Sequence, residues 1–204
     1  YDSNGERAAA FAKAHRTSVA ASLRDLLSSD DVNLVDVCAP TQAHLEIIAA
    51  ALAAGKDVVT EKPLARSVAE GRKAVALAQI SNRLLFVAHV LRFWPEYVAA
   101  HDQVLKQHLG KALGVSTYRL SAFPEWGTWF ADRSQSGGAI LDLQIHDIDF
   151  VNWCLGRPTK VFSQRIDHPR SAADEVHTVL TYPGAKAEVV ARYLFPDSDR
   201  KSAG

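Results

Sequence analysis

Methionine is absent from all 204 residues, position 1 included. A chain of this length ordinarily carries several, so we expect either a piece of a longer protein or an unusual composition. Only two cysteines occur, Cys38 and Cys154, far apart and each within an apolar segment. They do not make a disulfide scaffold. They read as two buried free thiols, as a reducing cytoplasm would leave them. No run of 18 apolar residues exists, which excludes a membrane-spanning helix. No excess charge exists either: 23 Lys and Arg balance 23 Asp and Glu. With a pI near 7.3, nothing in the bulk electrostatics favours nucleic acid or an anionic membrane as partner. A glycine-rich G-x-G-x-x-G phosphate loop is also absent.

What is there is an ordinary globular composition, 48% apolar and 23% charged, ordered into two patterns. The first alternates helices and strands. ERAAAFAKAH, residues 6–15, is alanine-rich and helical, with a loop before it that can cap it. Ser22 caps a short helix over 22–28. NLVDVCAP (33–40) reads as a strand and turn, and a helix follows to about 54, closed by Gly55. DVVTEK (57–62) is the next strand, Ser67 caps a helix over 67–80, and LLFVAHV (84–90) is a further buried strand. Short loops between such elements mark a parallel sheet with crossover helices. Ligands of such sheets collect at the carboxyl ends of strands, where Asp2, Pro40, Thr41, Glu61, Lys62 and Arg92 fall.

After residue 92 the pattern changes. A helix is predicted over 95–108, a strand over 115–123, then an aromatic loop with Trp126 and Trp129, and a helix over 138–155. Three antiparallel strands follow at 161–166, 176–183 and 187–195. The fold expected is therefore α/β. A Rossmann-type domain (1–92), lacking its first βα unit, precedes an α+β domain (93–204) with a mostly antiparallel open sheet. Ending the sheet there would leave a bare edge, so we expect a C-terminal continuation. The open face is expected to be covered by a second subunit in a homo-oligomer.

The segment GGAILDLQIHDID (137–149) concentrates the chemistry. Asp142, His146 and Asp149 stand four and three residues apart among the apolar Ile140, Leu141, Leu143, Ile145 and Ile148, so they share one face. A polar triple there must meet partners or a polar cavity. A histidine beside a carboxylate can exchange protons near neutral pH; equally, His146 bonded to Asp149 would be an inert core residue. Zinc spacing is present, but no HExxH or cysteine cluster accompanies it, and no metal is expected. Lys62 either acts on a hydroxyl or carbonyl or lies along the surface; the following Pro63 makes a cis bond possible. Asp2 either binds ribose hydroxyls or caps a helix. Arg92 either grips a polar substrate or pairs with Glu96. Trp126 and Trp129 either line a sugar pocket or pack under their loop.

Asp2 before the alanine-rich helix, CAPTQAH (38–44), TEKP (60–63), HVLRFWPEY (89–97) and SGGAILDLQIHDID (136–149) occur in that order. Together they make the chain resemble the Gfo/Idh/MocA family of nicotinamide-dependent oxidoreductases. The resemblance implies a Rossmann domain followed by an open-sheet α/β domain. It implies NAD or NADP as hydride carrier and a glycine-rich turn upstream of Tyr1. Lys62 matches the EKP lysine, and Asp142 with His146 match the D-x3-H pair. Asp2, Ala39, Pro40, Thr41, His44, Glu61 and Lys62 match positions bordering the cofactor; Arg92, Trp129 and Asp142 are the substrate-binding candidates. Gln144 departs from the pattern, standing where glycine is common. The activity implied is hydride transfer between NAD(P) and a secondary alcohol or ketone of a sugar, cyclitol or polyol. His146 is the expected base, Lys62 the group that polarises the oxygen, and Asp142 the group that orients the substrate. Asp2, with no adjacent basic residue, favours NAD over NADP. The competing expectations are a catalytically idle nucleotide-binding regulator of the same fold and a metal-dependent hydrolase.

Overall fold

The computed structural model describes residues 1–108, 110–124, 128–167 and 174–194. The chain divides into two compact bodies. The first comprises Tyr1–Ala39, Ala43–Glu61 and Ser67–Val87; the second comprises Pro40–Gln42, Lys62–Arg66 and the chain from Ala88 onward.

In the first body, α1 (Gly5–His15) starts behind Asn4, whose side chain accepts the Arg7 N–H. α2 (Leu23–Ser28) starts behind Ser22, whose oxygen accepts the Asp25 N–H. Each side chain satisfies one of the orphan donors of a helix start. β1 (Leu34–Val37) then leads through a 3-10 turn, Thr41–Ala43, into α3 (His44–Ala53). Ile48, Ala51 and Leu52 recur at helical spacing and are buried where α3 packs on the sheet. Gly55 closes α3 at φ 72, a backbone shape that costs glycine nothing. There the N–H of Lys56 reaches back to the Ala51 carbonyl at 3.0 Å. β2 (Asp57–Thr60), α4 (Val68–Ser81) behind the Ser67 cap, and β3 (Leu85–Val87) complete the body. The strands are parallel in the order β1-β2-β3, with Val35 opposite Val58 and Val58 opposite Leu85.

Two sequence expectations fail here. The strand predicted over 84–90 is three residues long, and Leu84 and Phe86 are exposed. β3 is an edge strand paired on one side, and the chain turns into a 3-10 helix at Val90–Phe93. Cys38 is exposed rather than buried, because burial in β1 ends at Val37. Partial desolvation, with the carboxylates of Asp36 and Glu61, pushes its thiol up to about 11. Cys154 is buried as expected.

In the second body, α5 (Pro95–Leu105) opens on proline in its first turn, where no intrahelical N–H is lost. β4 (Gly114–Ala122), a 3-10 turn at Thr128–Ala131 and α6 (Arg133–Ser136) follow. The helix predicted over 138–155 is two pieces. A π-helical turn, Ile140–Gln144, feeds α7 (Ile145–Leu155), and the Ile145 N–H reaches the Ile140 carbonyl five residues back. The sheet is mixed, β4-β7-β6-β5, built from β5 (Lys160–Asp167), β6 (Asp174–Tyr182) and β7 (Ala185–Leu194). β4 runs parallel to β7, and the other neighbours are antiparallel.

The strand period of two sorts the residues. Leu180, Tyr182 and Val189 pack with Phe150, Val151 and Cys154 of α7 in one apolar core, and Val176 packs with Leu143 and Tyr193 in another. Tyr118, Leu120, Phe162 and Ile166 lie on the opposite face and are exposed. Among the described residues no helix is long and apolar enough to cross a membrane.

Candidate active site

The second body gathers the polar residues singled out above around the π-turn. Lys62 lies two residues beyond the end of β2 at Thr60, and its bond to Pro63 is cis. Its Nζ donates to Asp142 Oδ1 at 2.7 Å and to the Asp142 carbonyl at 2.8 Å. The two side chains are only 17% and 15% exposed, so the lysine does not lie along the surface. The other Asp142 oxygen accepts the hydroxyl of Tyr193, on the inner face of β7.

His146 stands one turn beyond Asp142. Burial is the main cause that lowers its pKa to about 4, aided by the positive charges of Lys62 and Arg119, with Asp142 opposing. Its Nδ1 is buried and has no hydrogen-bond partner among the described residues. The expected alternative, an imidazole tied to Asp149, is not what forms. Asp149 is bound at both oxygens by Arg92, Nε to Oδ2 and Nη2 to Oδ1, each at 2.8 Å. Arg92 therefore pairs with Asp149, not Glu96, and its guanidinium carbon lies 5.6 Å from the Trp153 ring centroid. The carboxylate expected to fix the His146 tautomer is thus engaged elsewhere. An orphaned buried nitrogen beside an ammonium calls for a ligand or water to complete it.

Three participants carried no sequence signal strong enough to single them out. Tyr193 is an ordinary strand aromatic until its partner is known. Arg119 donates to Asp147 at 2.6 and 3.0 Å and to the Tyr97 hydroxyl at 3.3 Å. Its place on the inward face of the β4 alternation was the available clue, since a buried arginine requires a carboxylate. His89, its Nδ1 3.7 Å from Asp149 Oδ2, contributes to the field at His146. Trp129 stacks on Phe130 with centroids 3.9 Å apart, and Trp126 lies outside the described residues.

Of the remaining candidates, Asp2, Ala39, His44 and Glu61 belong to the first body, and Pro40 and Thr41 to the second. The Ala39 carbonyl accepts His44 Nε2 at 2.8 Å, and Thr60 Oγ1 lies 3.4 Å from His44 Nδ1. Pro40 is exposed and Thr41 is buried. The Glu61 N–H bonds the Val37 carbonyl at 3.0 Å, tying the ends of β2 and β1 together. The 3-10 turn Thr41–Ala43 runs directly into α3, which has no side-chain cap hydrogen bond from Ala43. Asp2 carries a correction: a basic residue does adjoin it in space. Arg7 Nε lies 2.9 Å from Asp2 Oδ2, and Oδ1 accepts the Asn4 N–H at 2.8 Å. Each oxygen retains a lone pair, so Asp2 still suits the ribose hydroxyls of a nicotinamide dinucleotide. Among the described residues no three His, Cys, Asp or Glu side chains gather as a metal site requires.

Comparison with known proteins agrees with this architecture. Residues 1–89 match the Gfo/Idh/MocA oxidoreductase family, NAD-binding Rossmann fold, and residues 97–202 match the Gfo/Idh/MocA C-terminal domain. A 1,5-anhydro-D-fructose reductase of Ensifer adhaerens is 30% identical over 155 residues, covering 74% of this chain and 46% of its own length. A mouse trans-1,2-dihydrobenzene-1,2-diol dehydrogenase is 29% identical over 168 residues, covering 80% of this chain and 49% of its own length. The chain thus spans about half the length of these curated relatives. A levoglucosan dehydrogenase solved with NADH and levoglucosan superposes with a TM-score of 0.85 at 25% identity, over 94% of this chain and 56% of that one. Two family domains matched in sequence, on a parallel sheet followed by a mixed one, make this chain a member of the Gfo/Idh/MocA oxidoreductase family.

Proposed function

We propose that this protein is a dehydrogenase or reductase that moves a hydride between NAD and a secondary alcohol or ketone of a sugar, cyclitol or related polyol. The observation that carries the reading is the Lys62–Asp142 contact beside a neutral, incompletely bonded His146. The named activities of the relatives support the substrate class. Bound NAD would take the hydride from the carbinol carbon, and NADP is the possible substitute.

In that event the hydroxyl must lose a proton. His146, neutral above pH 5, receives it. Lys62 holds the oxygen as its negative charge develops, and Asp142, fixed by Lys62 and Tyr193, orients both. Arg92 is bound to Asp149 and Trp129 to Phe130, so their parts are to shape the substrate side rather than react. Ala39, Pro40, Thr41, His44 and Glu61 border the cofactor, with Asp2 at the adenosine ribose. Glu61 and Lys62 are consecutive, so the strand end assigned to the dinucleotide is covalently joined to the reacting ammonium. A cytoplasmic location, and a homo-oligomer formed through the exposed outer face of the mixed sheet, belong to the same proposal.

Four outcomes test it. In the protein that carries this chain, His146→Ala lowers polyol turnover by about 10²–10⁴-fold, read as absorbance at 340 nm, with NADH affinity unchanged. Full turnover in that variant removes the base, and NADH binding without any turnover in the unaltered protein leaves the idle regulator. The low pKa of His146 sets the pH dependence. Oxidation rates hold steady from pH 7 to about 5 and fall through about 4, where the imidazole becomes protonated. An acid limb at the ordinary histidine value of 6.5 contradicts the assignment. NADH binds more tightly than NADPH, and Arg7→Ala widens the gap, because the guanidinium beside Asp2 offsets its repulsion of a 2′-phosphate; calorimetric dissociation constants decide. Light scattering at micromolar concentration gives a multiple of the monomer mass, reduced by Phe162→Glu; a monomer rejects the sheet interface.

A further inference from the structure

We propose that Gln144 is a positioning residue for the proton-transfer site, holding the π-turn so that Asp142 and His146 stay directed at Lys62. This rests on the dehydrogenase reading above. Gln144 lies midway between Asp142 and His146 in the chain, and it is 1% exposed. Its side chain goes to the sheet. Nε2 donates to the carbonyls of Val189 at 2.9 Å and Val176 at 3.2 Å. Oε1 accepts the Thr178 hydroxyl at 2.9 Å, and Thr178 Oγ1 lies 2.9 Å from Ser163 Oγ. Both amide donors and the acceptor are therefore occupied, by partners on β6 and β7, with β5 behind them. A fully buried place could be filled by leucine or methionine for packing alone. An amide bonded on three sides adds direction and register.

The register matters because the turn holds one residue more than an α-helix would. An α-helix advances about 100° per residue. If the Ile140–Gln144 turn relaxed to α geometry, the part before it would swing by about that angle relative to α7. Asp142 would then leave Lys62 and Tyr193, or Leu143 would leave the core. Gln144 is the side chain that grips the sheet at the junction of π-turn and α7. The groups facing His146 come from separate elements: Lys62 from the segment after β2, His89 before the 3-10 turn, Arg119 from β4 and Asp142 from the π-turn itself. Their joint effect at His146 depends on that junction staying in place.

The test uses the protein that carries this chain, with His146 followed by NMR titration of its imidazole, alongside Gln144→Met, Thr178→Val and Thr178→Ser. Gln144→Met raises the His146 midpoint by at least one pH unit from about 4, because a relaxed turn admits water and separates the imidazole from Lys62. Thr178→Val moves it the same way by less, and Thr178→Ser, which keeps the hydroxyl, leaves it in place. In the dehydrogenase assay, Gln144→Met lowers kcat by about 10–100-fold, as a misplacement near 1 Å would, while the dissociation constant for NADH holds. If Gln144→Met does not fold, Thr178→Val decides alone. Lower melting temperatures with an unmoved His146 midpoint and unchanged kcat would show an ordinary structural amide and overturn the proposal. Loss of the dehydrogenase reading appears separately, as NADH binding without any turnover in the unaltered protein, and leaves the titration result interpretable.

Discussion

An ammonium and a carboxylate 80 residues apart in sequence meet at 2.7 Å in a largely buried place, and the rest of the site is arranged around that contact. Burying such a pair is costly unless every remaining hydrogen-bonding position is filled. Here Asp142 has its second oxygen on Tyr193 and its own carbonyl on Lys62. The contact also explains a feature of the chain's division. Lys62–Arg66 clusters with the second body although the first resumes at Ser67. The segment is held there twice, by Lys62 on the π-turn and by Arg66 Nη1 on the Ser134 carbonyl at 3.1 Å.

The carboxylates near His146 repeat the same logic. Asp142, Asp147 and Asp149 lie within eight residues, and each is taken by a cation from another element: Lys62, Arg119 and Arg92. Asp147 is 4% exposed at its side chain, the deepest of the three, and breaking that pair would strand a buried charge. With all three acids engaged, none is left for His146. Burial lowers its pKa most, and the cations of two of these pairs, Lys62 and Arg119, lower it further, where a histidine beside an unpaired aspartate would have been raised.

How much of this was legible in the sequence follows from the range of each interaction. Caps and helix starts at Ser22 and Ser67 were readable because they involve residues three apart. The parallel sheet was readable because strand and helix periods differ. Lys62, Asp142 and His146 could be named from their motifs, and their placement in one body agrees with those motifs. The partners could not be. Tyr193 lies 51 residues from Asp142 and Arg92 lies 57 from Asp149, and no local spacing encodes such meetings. The π-turn was hidden for another reason: a helical pattern absorbs one extra residue without losing its apolar face, so 138–155 reads as continuous. Gln144 looked like a departure from a glycine position, and its reason lies in the Val176 and Val189 carbonyls. Cys38 and β3 misled because apolar composition does not say whether a strand has a neighbour.

For the dehydrogenase proposed above, the low proton affinity of His146 would count against it as a base. An imidazole near pKa 4 takes a proton from an alcohol less willingly than an ordinary one. The charge that weakens the base, however, is also the charge that eases the alcohol's ionisation. Lys62 disfavours imidazolium and favours alkoxide by the same Coulomb term, so part of what the base loses is recovered at the oxygen. The balance differs by direction. In the proposed oxidation the alcohol would pass its proton to an imidazole already neutral at physiological pH, leaving an alkoxide that Lys62 stabilises. In reduction the protonated form is scarce at pH 7 but strongly acidic once formed. Because the lysine is fixed to Asp142 by two hydrogen bonds, both effects act from one position. On the proposed reading, the geometry of that ammonium would set how the oxygen and the imidazole share the proton.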